Sequence, residues 1–296
     1  MKFALIEACV FSWLVVAPAS ANARAVDTPP VTALGSDPAP SGAGDEAAAL
    51  AKKLANPIAA LISVPLQNNV DWGGGPDGDG VQYKLNIQPV IPITLSSDWN
   101  LISRTILPVL AQKDIVPAPP GRSSSQFGLG DTLQSLWLSP QHPSKSGIIW
   151  GIGPALLLRT ATDKVLGSGK WGAGPTAVVL KQTGRWTIGG LANHVWSVAG
   201  DSSRDKVSSS YVQPFLSYTT PQATTFTINS ETTYDWIHHT WTVPVNLMVS
   251  QLLPPKKTGL SFPISIQGGY RHYFEAPEGG PSNGIRIAIT ALFPKK

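Results

Sequence analysis

The chain has 296 residues and a formal net charge of +4, and only 14% of its residues are charged, against roughly a quarter in soluble globular proteins. Its basic residues are scattered and form no stripe with interleaved aromatic residues, which argues against nucleic-acid binding. The single cysteine, Cys9, lies in a segment expected to be removed, which excludes disulfides and cysteine-based zinc sites from the mature protein.

Residues 1–23 have the features of a cleaved secretory signal peptide. Lys2 gives a positive start, residues 9–17 are apolar, and residues 21–23 (Ala-Asn-Ala) form a small-x-small cleavage pattern. A buried first helix of the mature domain is the alternative. No later stretch reaches about 18 consecutive apolar residues, so a membrane-spanning form of this exported chain would be a closed β-barrel.

Residues 24–55 are expected to form a leader that precedes a folded domain of residues 56–296. Residues 24–44 are rich in Pro, Ala, Gly and Ser without periodicity, which predicts disorder. Residues 45–55 are a helix candidate with acidic residues at the start and lysines near the end, as the helix dipole favours. We interpret this helix either as a plug inside or below the barrel or as a solvated helix before it.

From Pro57 onward, apolar and polar residues alternate in many short segments. In the clearest segment every second residue from 241 to 249 is apolar. Successive side chains of a strand point to opposite faces, so each segment has one apolar and one polar side, as in a transmembrane β-barrel. Twelve strands, an even number as bacterial barrels require, are predicted at residues 57–66, 81–93, 99–110, 127–138, 148–160, 170–182, 185–197, 208–219, 223–233, 240–252, 259–274 and 284–293.

The connections between these strands give a second indication. Those expected outside the cell, such as 111–126 and 198–207, are mostly longer, whereas those expected in the periplasm, such as 183–184 and 220–222, are mostly shorter. Prolines inside predicted strands oppose the barrel because each removes a ladder hydrogen bond. These are Pro65, Pro89, Pro92, Pro154, Pro175, Pro214, Pro244 and Pro263.

Tryptophans lie at the ends of many predicted strands. The Trp side chain has an apolar body and a polar N–H group, so it prefers the headgroup level of a membrane. Packing in a soluble core is the alternative. We predict an aromatic girdle made of Trp99, Trp137, Trp150, Trp171, Trp186, Trp196 and Trp241.

Polar strand residues are the candidates for the lining of the lumen. Charge on the lipid face costs about 2–4 kcal/mol at the midplane, so charged strand residues are expected to face inward. Most of these charges should pair with one another, and a minority should contact a permeating solute. The candidates are Gln82, Lys84, Asn86, Arg104, Asp131, Gln134, Asn229, Glu231, Arg271 and Arg286.

No catalytic, metal or cofactor site is predicted. The adjacent His238 and His239 would point to opposite faces of an extended segment and could not bind one ion together, and His272 is interpreted as a loop histidine. A serine hydrolase needs a nucleophile, a base and an orienting group. The nearest candidate pair, His194 and Ser197, has an i,i+3 spacing that places the two on opposite faces of a strand.

Several sequence words resemble one known family. They are NPIAALISVPLQNN (56–69), GLGDT (128–132), GPALLLRTATDKVLGSGKWGAGPTAVVL (153–180), GRWTIGGLANHVWSVAG (184–200), QPFLSYTT (213–220) and YDWIHHTWTVPVNL (234–247). Together they resemble the bacterial outer-membrane transporters of the MetA-pathway of phenol degradation family, over nearly all of 56–296. Arg159 departs from the family, which often has Pro before the TATD word. The resemblance implies a barrel of the outer-membrane channel type with a transport or pore role, and it supplies no catalytic residues.

The sequence therefore predicts an all-β, twelve-stranded antiparallel barrel in the outer membrane, acting as a pore or passive transporter for small solutes. The family name suggests aromatic or apolar ones, and twelve strands imply a restricted lumen. Its expected partners are outer-membrane lipids and the barrel insertion machinery. Two alternatives stay open: a non-transporting envelope barrel with a structural or adhesive role, and a secreted soluble β-sandwich that binds a ligand.

Overall fold

The computed structural model describes residues 42–116 and 125–293. The predicted signal peptide, Cys9, residues 24–41 of the predicted leader and the last three residues lie outside the described residues. Within the described ranges, no helix is long and apolar enough to cross a membrane.

The described residues form two helices and fifteen β-segments. The helices are α1 (Ala43–Leu54) and α2 (Pro255–Thr258). The β-segments are β1 (Ile62–Gly74), β2 (Gly80–Ile87), β3 (Val90–Thr94), β4 (Trp99–Lys113), β5 (Gln126–Leu129), β6 (Thr132–Pro140), β7 (Ile148–Leu158), β8 (Lys170–Thr183), β9 (Trp186–Gly200), β10 (Ser208–Thr219), β11 (Thr224–Ser230), β12 (Thr232–Asp235), β13 (Thr240–Leu253), β14 (Ile264–Glu275) and β15 (Asn283–Phe293).

The segments form one antiparallel sheet that closes on itself. β1 pairs with β15 from Ile62 opposite Phe293 to Trp72 opposite Asn283, which joins the first and last strands. The pairs β2/β3, β5/β6 and β11/β12 are each one interrupted strand, because both members pair with β4, β4 and β13 respectively. This gives twelve barrel strands and confirms the predicted fold. A closed sheet has no free edge, so the soluble β-sandwich alternative is wrong.

Most strands lie where the alternation predicted them, and the first is the main exception. It was expected at residues 57–66, but β1 begins at Ile62 and continues through Asn69 and Asp71 to Gly74. These polar residues are typical of loops, yet they alternate into the barrel interior, where both side chains are buried. The strand predicted from residue 259 begins only at Ile264, after the short helix α2 and a connection at residues 259–263.

The strand prolines lie largely where the ladder is irregular. Pro89 lies between β2 and β3, Pro263 precedes β14, and Pro244 adjoins a register shift between β13 and β14. Pro154 and Pro175 face each other across β7 and β8, so two missing N–H donors fall at one rung. The prolines therefore interrupt hydrogen bonding locally without opening the sheet.

Helix α1 packs against one end of the barrel. We call the end that contains Ile62 and Phe293 the closed end and the opposite one the loop end. Ala51 of α1 is buried there, and Gln182 Nε2 donates to the Lys52 carbonyl at 2.8 Å. The buried side chains that pack together with Ala51 are Ala59, Leu61, Ala223, Leu252 and Leu292. This packing supports the plug interpretation of the helix over the solvated one.

The segment that links α1 to β1 enters the barrel. Ile58 is buried in a second apolar cluster, against Ile102 of β4 and Trp137 of β6. That cluster also contains Val178, Leu180 and Leu191 from β8 and β9. These strands lie opposite β13–β15 in the barrel. Helix α1 packs near β13 and β15, and Ile58 packs on the other side, so the two together extend across the closed end.

Candidate functional site

The outer face of the barrel is apolar. Outward side chains such as Leu247, Ile188 and Ile287 are more than half exposed, and residues on either side of them along each strand point inward. A continuous exposed apolar surface of this kind indicates contact with an apolar environment. Six of the seven predicted girdle tryptophans lie on this face, and Trp171, Trp186, Trp196 and Trp241 are exposed there. Trp99 and Trp150 contact each other edge to face, with ring centroids 6.0 Å apart.

Trp137 departs from the predicted girdle. Its side chain is 0% exposed and points into the barrel, and its Nε1 donates to Thr176 Oγ1 at 3.1 Å. Its neighbours are the buried Ile58 and Ile102. Strand position alone suggested the membrane interface, but Trp137 instead fills the interior near the closed end.

Two predicted lumen residues lie elsewhere. Gln134 faces outward, where it accepts a hydrogen bond from Thr105 Oγ1 at 2.6 Å and donates to Ser103 Oγ at 3.0 Å. The break between β5 and β6 adds a residue to the alternation, which reverses the inward and outward positions after it. Asp131 lies in that break and accepts hydrogen bonds from the backbone N–H groups of Ala161 and Ser168, so it holds the 159–169 connection at the loop end.

The other eight candidates lie on the inner face, and several form one ionic network. Arg286 forms a two-pronged contact with Glu231, with Nη1–Oε1 and Nη2–Oε2 both at 2.8 Å. Arg271 lies 3.4 Å from Glu231 and 3.1 Å from Asp71. Asn69 Oδ1 accepts from both arginines at 2.8 Å. Gln82, Lys84, Asn86, Arg104 and Asn229 complete the inward set.

Sequence reasoning missed Asn69, Asp71 and Gly284 in this network. Asp71 of β1 reaches Arg271 of β14 across the intervening strand β15. This is sterically feasible because Gly284 lies opposite both residues, and a Cβ atom at position 284 would overlap the Asp71 carboxylate. The period-two continuation of Gln67 through Asn69 to Asp71 was the signal that could have placed them inside.

A cavity of about 620 Å³ lies beside the network inside the barrel. Most of its lining comes from β4, β6, β9 and β10, and it also touches Glu231 and Arg286 of the network. The cavity extends from Leu54 and Pro57 at the closed end to Val207 and Ser209 at the loop end. A second cavity of about 220 Å³ lies between α1 and the walls of β11, β13 and β15. Both cavities touch Arg104 and Gln88.

The histidines lie apart from the interior. His194 is on the outer face, where its Nδ1 lies 2.7 Å from Ser210 Oγ, whereas Ser197 Oγ accepts from the Val207 N–H. His272 was interpreted as a loop histidine but lies in strand β14, where its Nδ1 is 2.9 Å from Asn283 Oδ1. The structure therefore does not bring His194 and Ser197 together. No group of three potential metal ligands occurs in the part of the chain that the structure describes.

His238 connects two loops at the loop end. Its Nδ1 lies 2.8 Å from Asp235 Oδ2, and its Nε2 lies 3.4 Å from Asp205 Oδ2 in the 201–207 loop. These hydrogen bonds, first the one that Asp235 accepts and then the one that Asp205 accepts, raise the pKa of His238 above its usual value. Because the folded-state pKa is raised, the contact contributes its full stabilisation below the unfolded-state pKa. This stabilisation is lost as the pH rises through the folded-state pKa.

We expect hydrogen exchange in residues 236–239 to be slower at about pH 5.5 than at about pH 8.5, after correction for the intrinsic pH dependence of exchange. The Asp205→Asn variant should weaken this difference, and His238→Asn should abolish it. His272→Asn is the matched control, since His272 contacts no carboxylate in the described residues. Equal protection at both pH values in the unmodified protein would contradict the prediction.

Comparison with known proteins supports the fold. No protein-family model matches the chain, so the resemblance to the MetA-pathway family gains no support, and no curated protein matches it either. Among solved structures, an outer membrane channel from Pseudomonas putida F1 is similar at 14% identity and a TM-score of 0.60, over 79% of this chain and 96% of that one. Outer membrane phospholipase A from Escherichia coli matches at 11% identity, over 85% of this chain and 98% of that one, with a TM-score of 0.46.

The second likeness is too low to bear on fold or function. The first supports the fold of the closed barrel, whose outer face is apolar. An apolar belt around a closed antiparallel barrel is the arrangement that a membrane requires of a β-protein. The chain is an outer-membrane β-barrel.

Proposed function

We propose that the protein is a narrow outer-membrane channel for passive movement of small solutes, with the closed end in the periplasm. The observation that carries the proposal is the cavity of about 620 Å³, which runs inside the barrel from the loop end to the segment that follows α1. A barrel with a purely structural role can fill its interior with side chains, as barrels of about eight strands do. A cavity along the barrel therefore favours the passage of a solute.

The lining supports small solutes with apolar parts. The lining contains apolar side chains, among them Leu133, Leu157, Leu191 and Phe215, and amide side chains, among them Asn86, Asn193, Gln213 and Asn229. Pockets of this size and mixed lining suit compact ligands rather than polymers. Helix α1 and Ile58 obstruct the closed end, so movement through the barrel requires their displacement or a path beside them. We expect aromatic compounds to pack against the apolar side chains of the lining, in line with the family that the sequence resembles.

The test is reconstitution of the purified full chain in liposomes and planar bilayers. We expect a small ionic conductance, together with liposome swelling that falls steeply as the size of a neutral solute increases. The same protein, boiled before reconstitution, is the control. Folding is checked by the difference in gel mobility before and after boiling. Folded protein that gives neither conductance nor swelling would favour the non-transporting envelope barrel.

A further inference from the structure

The arginines inside the barrel differ in how their charges are neutralised. Arg286 pairs with Glu231, and Arg271 pairs with both Asp71 and Glu231. Arg104 has no carboxylate oxygen within 4 Å among the described residues, and its Nη2 donates to the neutral Gln88 Oε1 at 2.7 Å. The two carboxylates of the network, Asp71 and Glu231, therefore pair with the other arginines, and Arg104 has no carboxylate partner within 4 Å.

Arg104 occupies a central place between the two cavities. It lies on β4 opposite Val90 of β3 and Ser135 of β6, and it lines both the larger and the smaller cavity. A solute that moves from the loop end toward α1 therefore passes this guanidinium. The neighbouring Gln88, also in both linings, fixes one edge of the guanidinium and leaves its other donors for a ligand.

The larger cavity, which Arg104 lines, is partly apolar. Leu133, Leu157, Leu191, Val195 and Phe215 provide carbon surface along the larger cavity. An unpaired cation next to apolar surface is costly unless an anion accompanies it, and a planar guanidinium binds a carboxylate through two parallel hydrogen bonds. The site thus combines a receptor for an anionic group with a receptor for an apolar body.

We infer that Arg104 is the head-group site for an anionic amphiphile, a compound with a carboxylate joined to an aromatic ring or short apolar chain. The carboxylate pairs with the free edge of Arg104, and the apolar part lies against the leucine and phenylalanine side chains of the lining. This inference rests on the proposed function and specifies its solute class. It makes Arg104 a binding residue of the channel.

The test uses Ser135, which faces Arg104 in the register and lines the cavity. In Ser135→Glu, a carboxylate of the chain itself pairs with Arg104, while Ser135→Gln adds nearly the same volume without charge. The probes are 1-naphthoate and its neutral counterpart 1-naphthalenemethanol, measured by calorimetry on the full chain in a non-ionic detergent. We expect the unmodified protein and Ser135→Gln to bind naphthoate at least about tenfold more tightly than the alcohol, a typical gain for a charge-assisted pair.

Ser135→Glu and Arg104→Gln should both lose this preference while binding the alcohol unchanged. Arg185→Gln, which removes an exposed charge in a turn at the closed end, should keep it. Equal binding of the two probes by the unmodified protein, no binding of either, or a preference that survives in Arg104→Gln would overturn the inference. Each variant must show the boiling-dependent gel shift, and Arg104→Gln decides the result if Ser135→Glu does not fold.

This experiment measures binding and not passage. Naphthoate preference without conductance would leave the Arg104 site intact and contradict only the channel proposal. Conductance without naphthoate preference would leave the channel proposal intact and contradict the Arg104 site.

Discussion

Replacing Glu231 with alanine is expected to destabilise the barrel more than any other single truncation in its interior, by about 3–5 kcal/mol, since it leaves buried arginines without their counter-charge. Glu231 is the carboxylate shared by Arg286 and Arg271, whose side chains are 3% and 8% exposed. Asp71 compensates only Arg271. Removing Glu231 therefore leaves Arg286 with Asn69 as its main neutral partner.

The measurement is urea unfolding in detergent, followed by loss of the fast-migrating folded band on unheated gels. Glu278→Ala is the matched control, because Glu278 lies exposed in the loop between β14 and β15. The double variant Glu231→Ala/Arg286→Leu should recover part of the lost stability, since it removes a buried charge together with its partner. If Glu231→Ala unfolds at the same urea concentration as Glu278→Ala, the network does not stabilise the barrel.

The alternation of apolar and polar residues was sufficient to predict the architecture. A two-residue period is a local property of each strand, and closure follows from the need to satisfy every backbone group in lipid. For this reason the strand count and the inward placement of Arg271, Arg286 and Glu231 could be predicted from sequence.

The inward and outward assignment failed where the period itself changed. The break around Gly130 and Asp131 shifts the alternation by one residue, which moves Gln134 to the outer face. After the break, Leu133, Ser135 and Trp137 point inward, and the large side chain of Trp137 fills the space beside Ile58. A single-residue irregularity reverses all later positions of a strand, and nothing in composition marks its location.

The contacts within the lumen depend on distant parts of the chain. Asp71 and Arg271 are 200 positions apart in the sequence and meet only because the strand between them carries Gly284. Likewise, the unpaired state of Arg104 becomes visible only when the partners of the other two arginines are known. Sequence periodicity predicts which face a residue occupies, but not which residue lies opposite it across an intervening strand.

Helix α1 is expected to control how far the closed end is open, and Ala51→Glu should raise the conductance several-fold. Ala51 is buried against Leu252 and Leu292 of the barrel wall. A carboxylate buried there without a partner costs several kcal/mol, so the helix should leave its site rather than accept the charge. The apolar packing of α1 comes from Ala47, Leu50, Ala51 and Leu54 alone, which is a small part of the barrel's contacts, so we expect the twelve-stranded sheet itself to remain assembled.

Ala49→Glu is the matched control, because Ala49 lies on the exposed side of the same helix and the change is chemically identical. It should conduct like the unmodified protein. Both variants must show the gel shift of an intact barrel, and single-channel recording then gives the conductance of each. Displacement of α1 from the closed end enlarges the narrowest section available to ions, so the difference between the two variants reports on the helix alone. Identical conductance in Ala51→Glu, Ala49→Glu and the unmodified protein would show that α1 does not obstruct the pore.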